Sequence, residues 1–182
     1  VGLSYIILRI LDSIEDAKLD DQVRLSLYDQ FLNLISNSKP SDDCYQDFYL
    51  QKWEGITEDE KDLFSRVNLP KIISYFWSLD VFYQGVIRAC VEEMRDGMQK
   101  FSAKNNKVFK KILGQKKSLR SQDLYNEYCY YVAGTVGILL TKVCIFHYRS
   151  TMKLSSSLLN KALGFSRVLQ KVNIIKDWKK DV

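Results

Sequence analysis

Apolar residues recur three and four positions apart along residues 1–19 and again along residues 21–36. This spacing puts them on one face of a helix, so each stretch predicts an amphipathic helix. The apolar positions of the first helix are Leu3, Ile6, Ile7, Ile10, Leu11 and Ile14.

The middle of the chain is less regular. Residues 44–68 are polar and predict a shorter helix plus a connection, in which Thr57 and Glu60 have the spacing of a capping box. Pro70 suits the first turn of a helix and predicts the start of a long helix that ends near Lys100.

Two more helices are predicted beyond a basic, irregular stretch over residues 103–122. One is long and apolar, from about Ser121 to Tyr148, and the last runs from about Leu158 to the end of the chain. No stretch alternates with the period of two that strands show. The sequence therefore predicts an all-α bundle of about six helices.

The composition agrees with one folded domain. The chain has 182 residues with only 2 Pro and 8 Gly, which suits long regular elements. Apolar residues make up 46% and charged residues 27%, which argues against global disorder. The chain starts with Val1 and a patterned helix begins almost at once, so we expect residues 1–182 to be an incomplete segment of a longer helical domain.

The net charge, the apolar run and the cysteines exclude few classes of protein. The formal net charge of +5 favours anionic partners without choosing among phosphate esters, membranes and nucleic acid. The most apolar run, Cys129 to Leu140, is shorter than a membrane span and is followed by Lys142, which predicts a buried core helix. The four cysteines lack metal-binding spacing and predict buried, reduced thiols of an intracellular protein. They are Cys44, Cys90, Cys129 and Cys144.

A first pair of acids, Asp12 and Asp16, ends the first helix. The residues are four apart and share one face with Arg9, and Glu15 flanks them. Two such carboxylates can hold magnesium while leaving positions for phosphate oxygens and water, and Arg9 could orient a carboxylate or bind phosphate. One acidic pair is usually a solvated helix face, but this helix is apolar nearly all round before the acids begin, so buried acids here need partners.

A second pair, Asp177 and Asp181, repeats the spacing near the end of the chain. Gln170 and Asn173 extend the same face backwards as a polar stripe, which could line a polar cavity or face solvent. Two helices packed antiparallel would make the two pairs face each other across a cleft for divalent ions and a diphosphate. The other side of the second helix carries Leu163, Val168, Leu169, Val172, Ile174 and Ile175.

The helix between the pairs combines tyrosines with small residues. Glycines inside a helix mark close packing, a kink or room for a ligand. Tyrosines beside such a gap can line an apolar pocket and stabilise a cation, although a tightly packed core helix explains the segment equally well. The residues are Tyr125, Tyr128, Tyr130, Tyr131, Ala133, Gly134 and Gly137.

Three motifs in order, DSIED, YCYYVAGTVG and LQKVNIIKDWKKD, resemble those of the squalene/phytoene synthases over essentially the whole chain, and they are most similar to the squalene synthase branch. The resemblance implies an isoprenoid-synthase-type helical bundle with a central apolar cavity. It also implies magnesium-dependent, head-to-head condensation of two farnesyl diphosphate molecules through cyclopropyl (presqualene) diphosphate to squalene. Reduction by NADPH is implied by the resemblance alone, since the sequence has no nucleotide-binding signature.

The resemblance also implies a role for each candidate residue. Asp12 and Asp16 match the first aspartate motif, and Asp177 and Asp181 match the second; both bind magnesium and substrate diphosphate in the family. Tyr128 matches the tyrosine implicated in the first half-reaction, so Tyr128, Asp12 and Asp16 are the predicted catalytic residues. The predicted substrate-binding residues are Arg9, Gln170, Asn173, Lys176, Asp177 and Asp181.

The second motif departs from the family pattern in two places. Lys176 stands where arginine is usual, and Lys180 replaces the glutamate of D-x-x-E-D, which reduces the negative charge available to a metal. The first pair is therefore the stronger metal-site candidate. The basic stretch over residues 100–120 is longer than the family connection, and we expect a solvated, mobile linker, with a diphosphate flap or membrane-surface contact as the alternative.

Other interpretations stay open at this point. Phytoene or dehydrosqualene synthesis uses the same first half-reaction without the reduction, and a non-catalytic helical interaction or membrane-surface module would leave the acids on the surface. Nucleic-acid binding is disfavoured, because few aromatics interleave the basic stretch and the acids would repel phosphate. We expect an intracellular protein, cytoplasmic or peripheral to a membrane (the endoplasmic reticulum in a eukaryote), and the sequence does not predict its oligomeric state.

Overall fold

Every element in the described part of the protein is helical, so the all-α prediction is confirmed. The structure is a computed structural model that describes residues 1–36, 38–101, 119–148 and 153–181, with the side chains of 119–121 and 177–181 left out. The chain groups into two compact units, Val1–Arg95 and Asp96–Val182, which are described separately below. That residues 1–182 form one incomplete helical domain stays a prediction.

The first unit contains five helices and most of a sixth. Helices α1 and α2 end close to their predicted boundaries, and the predicted polar middle resolves into a 3-10 turn and two short helices. The bounds are α1 Gly2–Asp16, α2 Asp21–Ser36, a 3-10 turn at Asp42–Tyr45, α3 Gln46–Leu50, α4 Glu58–Leu63, α5 Asn68–Trp77 and α6 Val81–Lys100.

The core of the first unit forms around α1. Its residues Ile7, Ile10, Leu11 and Ile14 are all fully buried, and α1 packs against α2, α4 and α5. Burying one such side chain stabilises the fold by roughly 1.5–3 kcal/mol, so α1 is held firmly in place. The charged side chains of α1 all lie in about its last two turns.

The predicted long helix from Pro70 to Lys100 is wrong, because α5 and α6 are separate helices with a break at residues 78–80. The side chain of Asp80 accepts a 2.8 Å hydrogen bond from the backbone N–H of Phe82, which starts a new helix. Gln84 donates to the carbonyls of the turn, which would otherwise lack partners. Pro70 lies in the first turn of α5, where a helix tolerates proline.

The second unit contains the predicted long apolar helix. It is continuous from residue 119 to residue 147 but includes one π-helical turn. Its bounds are α7 Leu119–Cys129, the π turn Tyr130–Gly134 and α8 Thr135–His147, followed after a link by α9 Ser156–Asp181. Most of the basic stretch that was predicted as a linker (102–118) lies outside the described residues.

The apolar helix is longer than the Cys129–Leu140 run suggests. Within the described residues, Gln122–His147 is the one helix long and apolar enough to cross a membrane, judged by length and composition only. Its apolar window is 28% buried, while within Cys129–Leu140, the run predicted to be a buried core helix, every residue is buried or half-buried. One such helix is weak evidence for a membrane span, because core helices of soluble proteins meet the same criterion.

Glycines bring α8 and α9 close together. A side chain at Gly137 would collide with the hydroxyl of Ser166 and lie 3.0 Å from the carbonyl of Ala162, and one at Gly134 would meet Leu163. Helix α9 packs here through Ala162, Leu163 and Ser166. Much of its apolar side is exposed: Val168, Leu169, Val172 and Ile175 are 49–73% accessible.

The cysteines follow the prediction in part. Cys90 and Cys129 are buried, as the apolar runs around them predict, and all four thiols are free. Cys144 is exposed although it lies in an apolar run, because it faces away from the side of α8 that packs.

The contact between α8 and α9 predicts opposite effects for two glycines. Gly137→Ala should lower the free energy of unfolding by about 1–3 kcal/mol, because the added methyl overpacks the contact with Ser166. Gly164→Ala is the matched control, because a methyl group at this position meets nothing within 4 Å. The substitution also replaces a glycine inside a helix with a better helix former. It should be neutral or stabilise by about 0.5–1 kcal/mol. Urea unfolding of both variants measures the difference, and equal stabilities would contradict the packing described.

Candidate functional site

The first acidic pair lies in the last turn and a half of α1, beside Arg9. Arg9 Nη1 is 3.9 Å from Asp12 Oδ2, one turn along the helix. Asp16 is the last residue of α1 and is exposed, whereas Asp12 is half-buried. The structure therefore brings Arg9, Asp12 and Asp16 together as the sequence spacing predicts.

Arg9 has a second acidic partner that lies 51 residues away in the sequence. Its Nη2 donates to Glu60 Oε1, at the start of α4. Glu60 Oε2 in turn accepts hydrogen bonds from Thr57 N at 2.7 Å and Thr57 Oγ1 at 2.8 Å, so the predicted capping box is confirmed. Burial alone would raise the pKa of Glu60, but the Thr57 hydrogen bonds and the charge of Arg9 outweigh it and hold the pKa below its usual value.

The acids at the end of α1 carry more negative charge than their neighbours balance. Burial, together with the charge of Asp16, raises the pKa of Asp12 from 3.8 to about 7, although Arg9 opposes the shift. Burial and the charges of Asp12 and Asp16 raise the pKa of Glu15 from 4.5 to about 8. Solvent reaches 34% of the Asp12 side chain and screens part of this repulsion. Raised carboxyl pKa values are typical of a site that gains a cation when it functions.

Two buried polar groups beside these acids lack partners within the described residues. Tyr28 is completely buried and its hydroxyl makes no hydrogen bond, while burial and the charge of Glu15 raise its pKa. Arg24 donates to Asp21 and to the carbonyls of Ala17 and Leu19, but its Nε makes no hydrogen bond. Buried donors without partners are costly, and they occur where a water or ligand completes a site.

The end of α1 fits a divalent cation. Asp12 and Asp16 supply carboxylate oxygens, and burial together with the neighbouring acids raises the pKa of Asp12 and of Glu15. No group of three or more metal-ligating side chains occurs in the described part of the chain. Magnesium usually takes one or two carboxylates and completes its shell with water and phosphate oxygens.

Tyr128 lies in α7, two residues before the π turn. It is half-buried, and its ring meets the edge of Phe101 with centroids 5.6 Å apart. Tyr131, inside the π turn, also contacts Phe101 and packs so closely on Gly97 that a Cβ there would collide with it. Rare π turns often occur at functional sites, so the turn marks this part of the helix independently of the motif.

The remaining candidates lie on α9. Gln170 is half-buried, like Ser166 and Ile174 at the same helical spacing, whereas Asn173 and Lys176 are exposed. The polar stripe is therefore split between two sides of the helix. Asp177 and Asp181 belong to its last turns, but their side chains lie outside the described residues. That the two aspartate pairs face each other stays a prediction.

Glu60, Arg24 and Tyr28 are the site residues that sequence reasoning missed. The capping-box spacing identified Glu60 as a helix start, but nothing local showed that it reaches Arg9. Arg24 offered one weak signal, a cation in a helix that begins just after the acids. Tyr28 offered none, since a buried tyrosine on an apolar face is ordinary.

Solved structures identify the class of fold. The complex of TcSQS with the ligand E5700 matches with a TM-score of 0.71 at 25% identity, covering 99% of this chain and 45% of that one. The TcSQS complex with BPH1237 matches with a TM-score of 0.68, also at 25% identity, covering 98% of this chain and 45% of that one. The chain thus has the all-α fold of the isoprenoid synthases, as predicted.

A family model places the chain within that class. The model of squalene/phytoene synthase matches residues 1–182, and the chain belongs to this family. This confirms the resemblance that the three motifs indicate.

Curated relatives agree with the family model. Squalene synthase from Cyberlindnera jadinii is 30% identical over 97% of the chain, and squalene synthase ERG9 from Saccharomyces cerevisiae is 30% identical over 100%. Presqualene diphosphate synthase from Botryococcus braunii is also 30% identical over 100% of the chain. The chain spans only 36–38% of the length of these relatives.

The acidic cluster predicts how stability depends on pH. Because the pKa values of Asp12 and Glu15 are raised on folding, the folded state holds protons that the unfolded state releases. Their contribution to stability is full below about pH 4 and is lost as the pH rises through about 7 to 8. In chelator, the unfolding free energy should therefore fall from pH 5 to pH 8.5, and magnesium should offset the fall by binding the folded state.

Glu15→Gln tests this assignment by urea unfolding at the two pH values. It removes one of the titrating groups and should flatten the pH dependence. Glu58→Gln is the control, because Glu58 is exposed and pairs with Lys61, and it should behave as the wild type. A Glu15→Gln profile as steep as that of the wild type would contradict the electrostatic description.

Proposed function

We propose that the protein to which this chain belongs condenses two prenyl diphosphates, such as farnesyl diphosphate, head to head in the presence of magnesium. The observation that carries the proposal is the cluster of Arg9, Asp12 and Asp16, in which Asp12, whose pKa burial raises, lies beside a second carboxylate and one guanidinium. Such a cluster suits a cation bound together with a diphosphate. Membership of the squalene/phytoene synthase family supports the same substrate class.

The residues at the end of α1 would bind and orient the leaving group. Asp12 and Asp16 would hold magnesium, which neutralises diphosphate and makes it a better leaving group. Arg9 is 38% exposed and can offer N–H groups to a phosphate oxygen. By the same resemblance, Gln170, Asn173 and Lys176 on α9, with Asp177 and Asp181 beyond them, would bind the second diphosphate region.

The tyrosines around the π turn would stabilise the cation that forms during the reaction and would accept a proton. Departure of diphosphate leaves an allylic cation, which aromatic faces stabilise and water would quench. The double bond of the second prenyl chain attacks that cation, and loss of a proton then closes the cyclopropyl ring. Tyr128 would accept or relay this proton, with released diphosphate as the competing base.

The proposed product is squalene, formed from cyclopropyl (presqualene) diphosphate by ionisation, rearrangement and reduction with NADPH. A second candidate ends at the cyclopropyl diphosphate, because the Botryococcus braunii relative named presqualene diphosphate synthase is as similar as the squalene synthases. Phytoene or dehydrosqualene synthesis, without the reduction, is a further candidate. Product analysis of the full-length protein with and without NADPH separates all three.

The site of action is part of the proposal. We place the protein inside the cell, in the cytoplasm or at the surface of a membrane, because its substrate class joins a charged head to a long apolar chain. A non-catalytic membrane-surface module is the competing proposal. It predicts no magnesium-dependent binding of a prenyl diphosphate.

Replacing Asp12 tests the metal site. Asp12→Asn in the full-length protein should lower turnover of farnesyl diphosphate by about 100-fold or more, because it removes a carboxylate that holds the cation at the leaving group. Asp123→Asn, at an exposed position of α7, is the control and should leave turnover unchanged. Near-normal turnover of Asp12→Asn would exclude the assignment.

Replacing Tyr128 tests the proton transfer. Tyr128→Phe should slow formation of the cyclopropyl diphosphate by about 100-fold or more, because it removes the hydroxyl but keeps the ring against Phe101. Binding of magnesium diphosphate should be unchanged. If single-turnover measurements show the intermediate forming at the normal rate, Tyr128 has no part in the chemistry.

A further inference from the structure

The segment from Glu54 to Glu60 crosses the acidic end of α1 and contacts it at three points. The carbonyl of Glu54 accepts a 2.8 Å hydrogen bond from Lys18 N, just beyond the end of the helix. Gly55 has a φ of +87°, and a Cβ there would lie 3.0 Å from Lys18 Cγ and 3.4 Å from the carbonyl oxygen of Asp16. The third contact joins Glu60 to Arg9. We call residues 54–60 the clamp segment.

Glu60 is fixed within the clamp segment. It is only 7% exposed, and one carboxylate oxygen accepts two hydrogen bonds from Thr57 while the other accepts Arg9 Nη2. A buried carboxylate with every contact satisfied occupies one position and can hold its partner in one position. The hydrogen bonds of the capping box therefore fix the Glu60 carboxylate in the position where it contacts Arg9.

Arg9 lies between Glu60 and Asp12 and is closer to Glu60. Arg9 Nη1 lies 3.9 Å from Asp12 Oδ2, inside ion-pair range but beyond the 2.7–3.2 Å of a hydrogen bond. An arginine three residues before an aspartate on a helix can otherwise form a direct charge-assisted bond with it. Such a bond would occupy the carboxylate oxygen that a cation needs.

We propose that Glu60 is a positioning residue, which holds Arg9 away from Asp12 and so keeps the Asp12 carboxylate available for a cation. The inference rests on the proposed function of Asp12 but assigns a new role to a residue outside both aspartate motifs. Arg9 keeps the part of its guanidinium that points away from Glu60 free for a phosphate oxygen. Without Glu60, Arg9 pairs with Asp12 and competes with the metal.

Glu60→Gln tests the role with little effect on the helix start, because glutamine also serves in a capping box. In the full-length protein, binding of magnesium and inorganic pyrophosphate is measured by calorimetry, and the KM and kcat for farnesyl diphosphate by turnover. The magnesium affinity should fall about 10-fold or more, as for groups that orient metal ligands. The loss in turnover should be restored at high magnesium, which a merely structural defect would not allow. Glu58→Gln is the control, with no change in any of these measurements expected.

A double-variant comparison shows whether Glu60 acts through Arg9. In an Arg9→Gln background the competing cation is gone, so Glu60→Gln should have no further effect on magnesium affinity. If Glu60→Gln is unfolded, Thr57→Val replaces it in the same comparison, because it removes the hydroxyl that holds Glu60 but keeps the backbone N–H.

The outcomes separate this inference from the proposed function. If the wild type does not bind magnesium pyrophosphate, the proposed function fails and the role of Glu60 with it. If the wild type binds but Glu60→Gln binds equally well, or loses the same affinity in the Arg9→Gln background, the positioning role is overturned and the proposed function stands.

Discussion

The burial of α1 is the constraint on which the rest of the first unit depends. Four of its isoleucine and leucine side chains have no exposure, and α2, α4 and α5 pack against α1. The acids that follow must therefore lie where the apolar residues put them, partly out of water and close to each other. Their raised pKa values are the electrostatic cost of that placement, and the hydrophobic energy of the core offsets it.

Packing in the second unit depends on small residues in the same way that the first depends on large ones. Gly134 and Gly137 let α9 approach until Ala162 and Ser166 touch the backbone of α8. A contact made by small groups is specific in register, because a shift along the helix brings a larger side chain against a glycine. The π turn at Tyr130–Gly134 lies at the same contact, so the tyrosines around it are placed by this register.

Helical periodicity was sufficient to predict most of the fold. It located α1 and α2 closely, and the motifs correctly indicated the family. It missed the break at residues 78–80, because Asp80 and Gln84 interrupt a continuous apolar pattern through hydrogen bonds that a periodicity does not encode. It did not indicate how α9 packs, since the sequence shows which residues are apolar but not where a glycine permits contact.

The site was predictable only where it is local. Arg9, Asp12 and Asp16 lie within two turns of one helix, so their spacing alone brings them together. The contact of Arg9 with Glu60 depends on two intervening helices, a 3-10 turn and the path of the connection before α4, which no local pattern contains. No local pattern indicates the role of Tyr28 either. That its buried hydroxyl has no hydrogen-bond partner among the described residues is known only from the structure.

Gly55 has a consequence for how the protein acquires its binding site. Its left-handed backbone lies so close to the end of α1 that a Cβ would be 3.4 Å from the Asp16 carbonyl oxygen, and two parts of the chain that are far apart in sequence meet there. An isolated α1 would carry the acids but not the contacts of the connection that orders them, so ligand affinity is a property of the assembled unit rather than of the motif. Ligand binding and folding are then thermodynamically linked. The affinity for a ligand at this end of α1 therefore depends on whether the connection before α4 is packed against the helix.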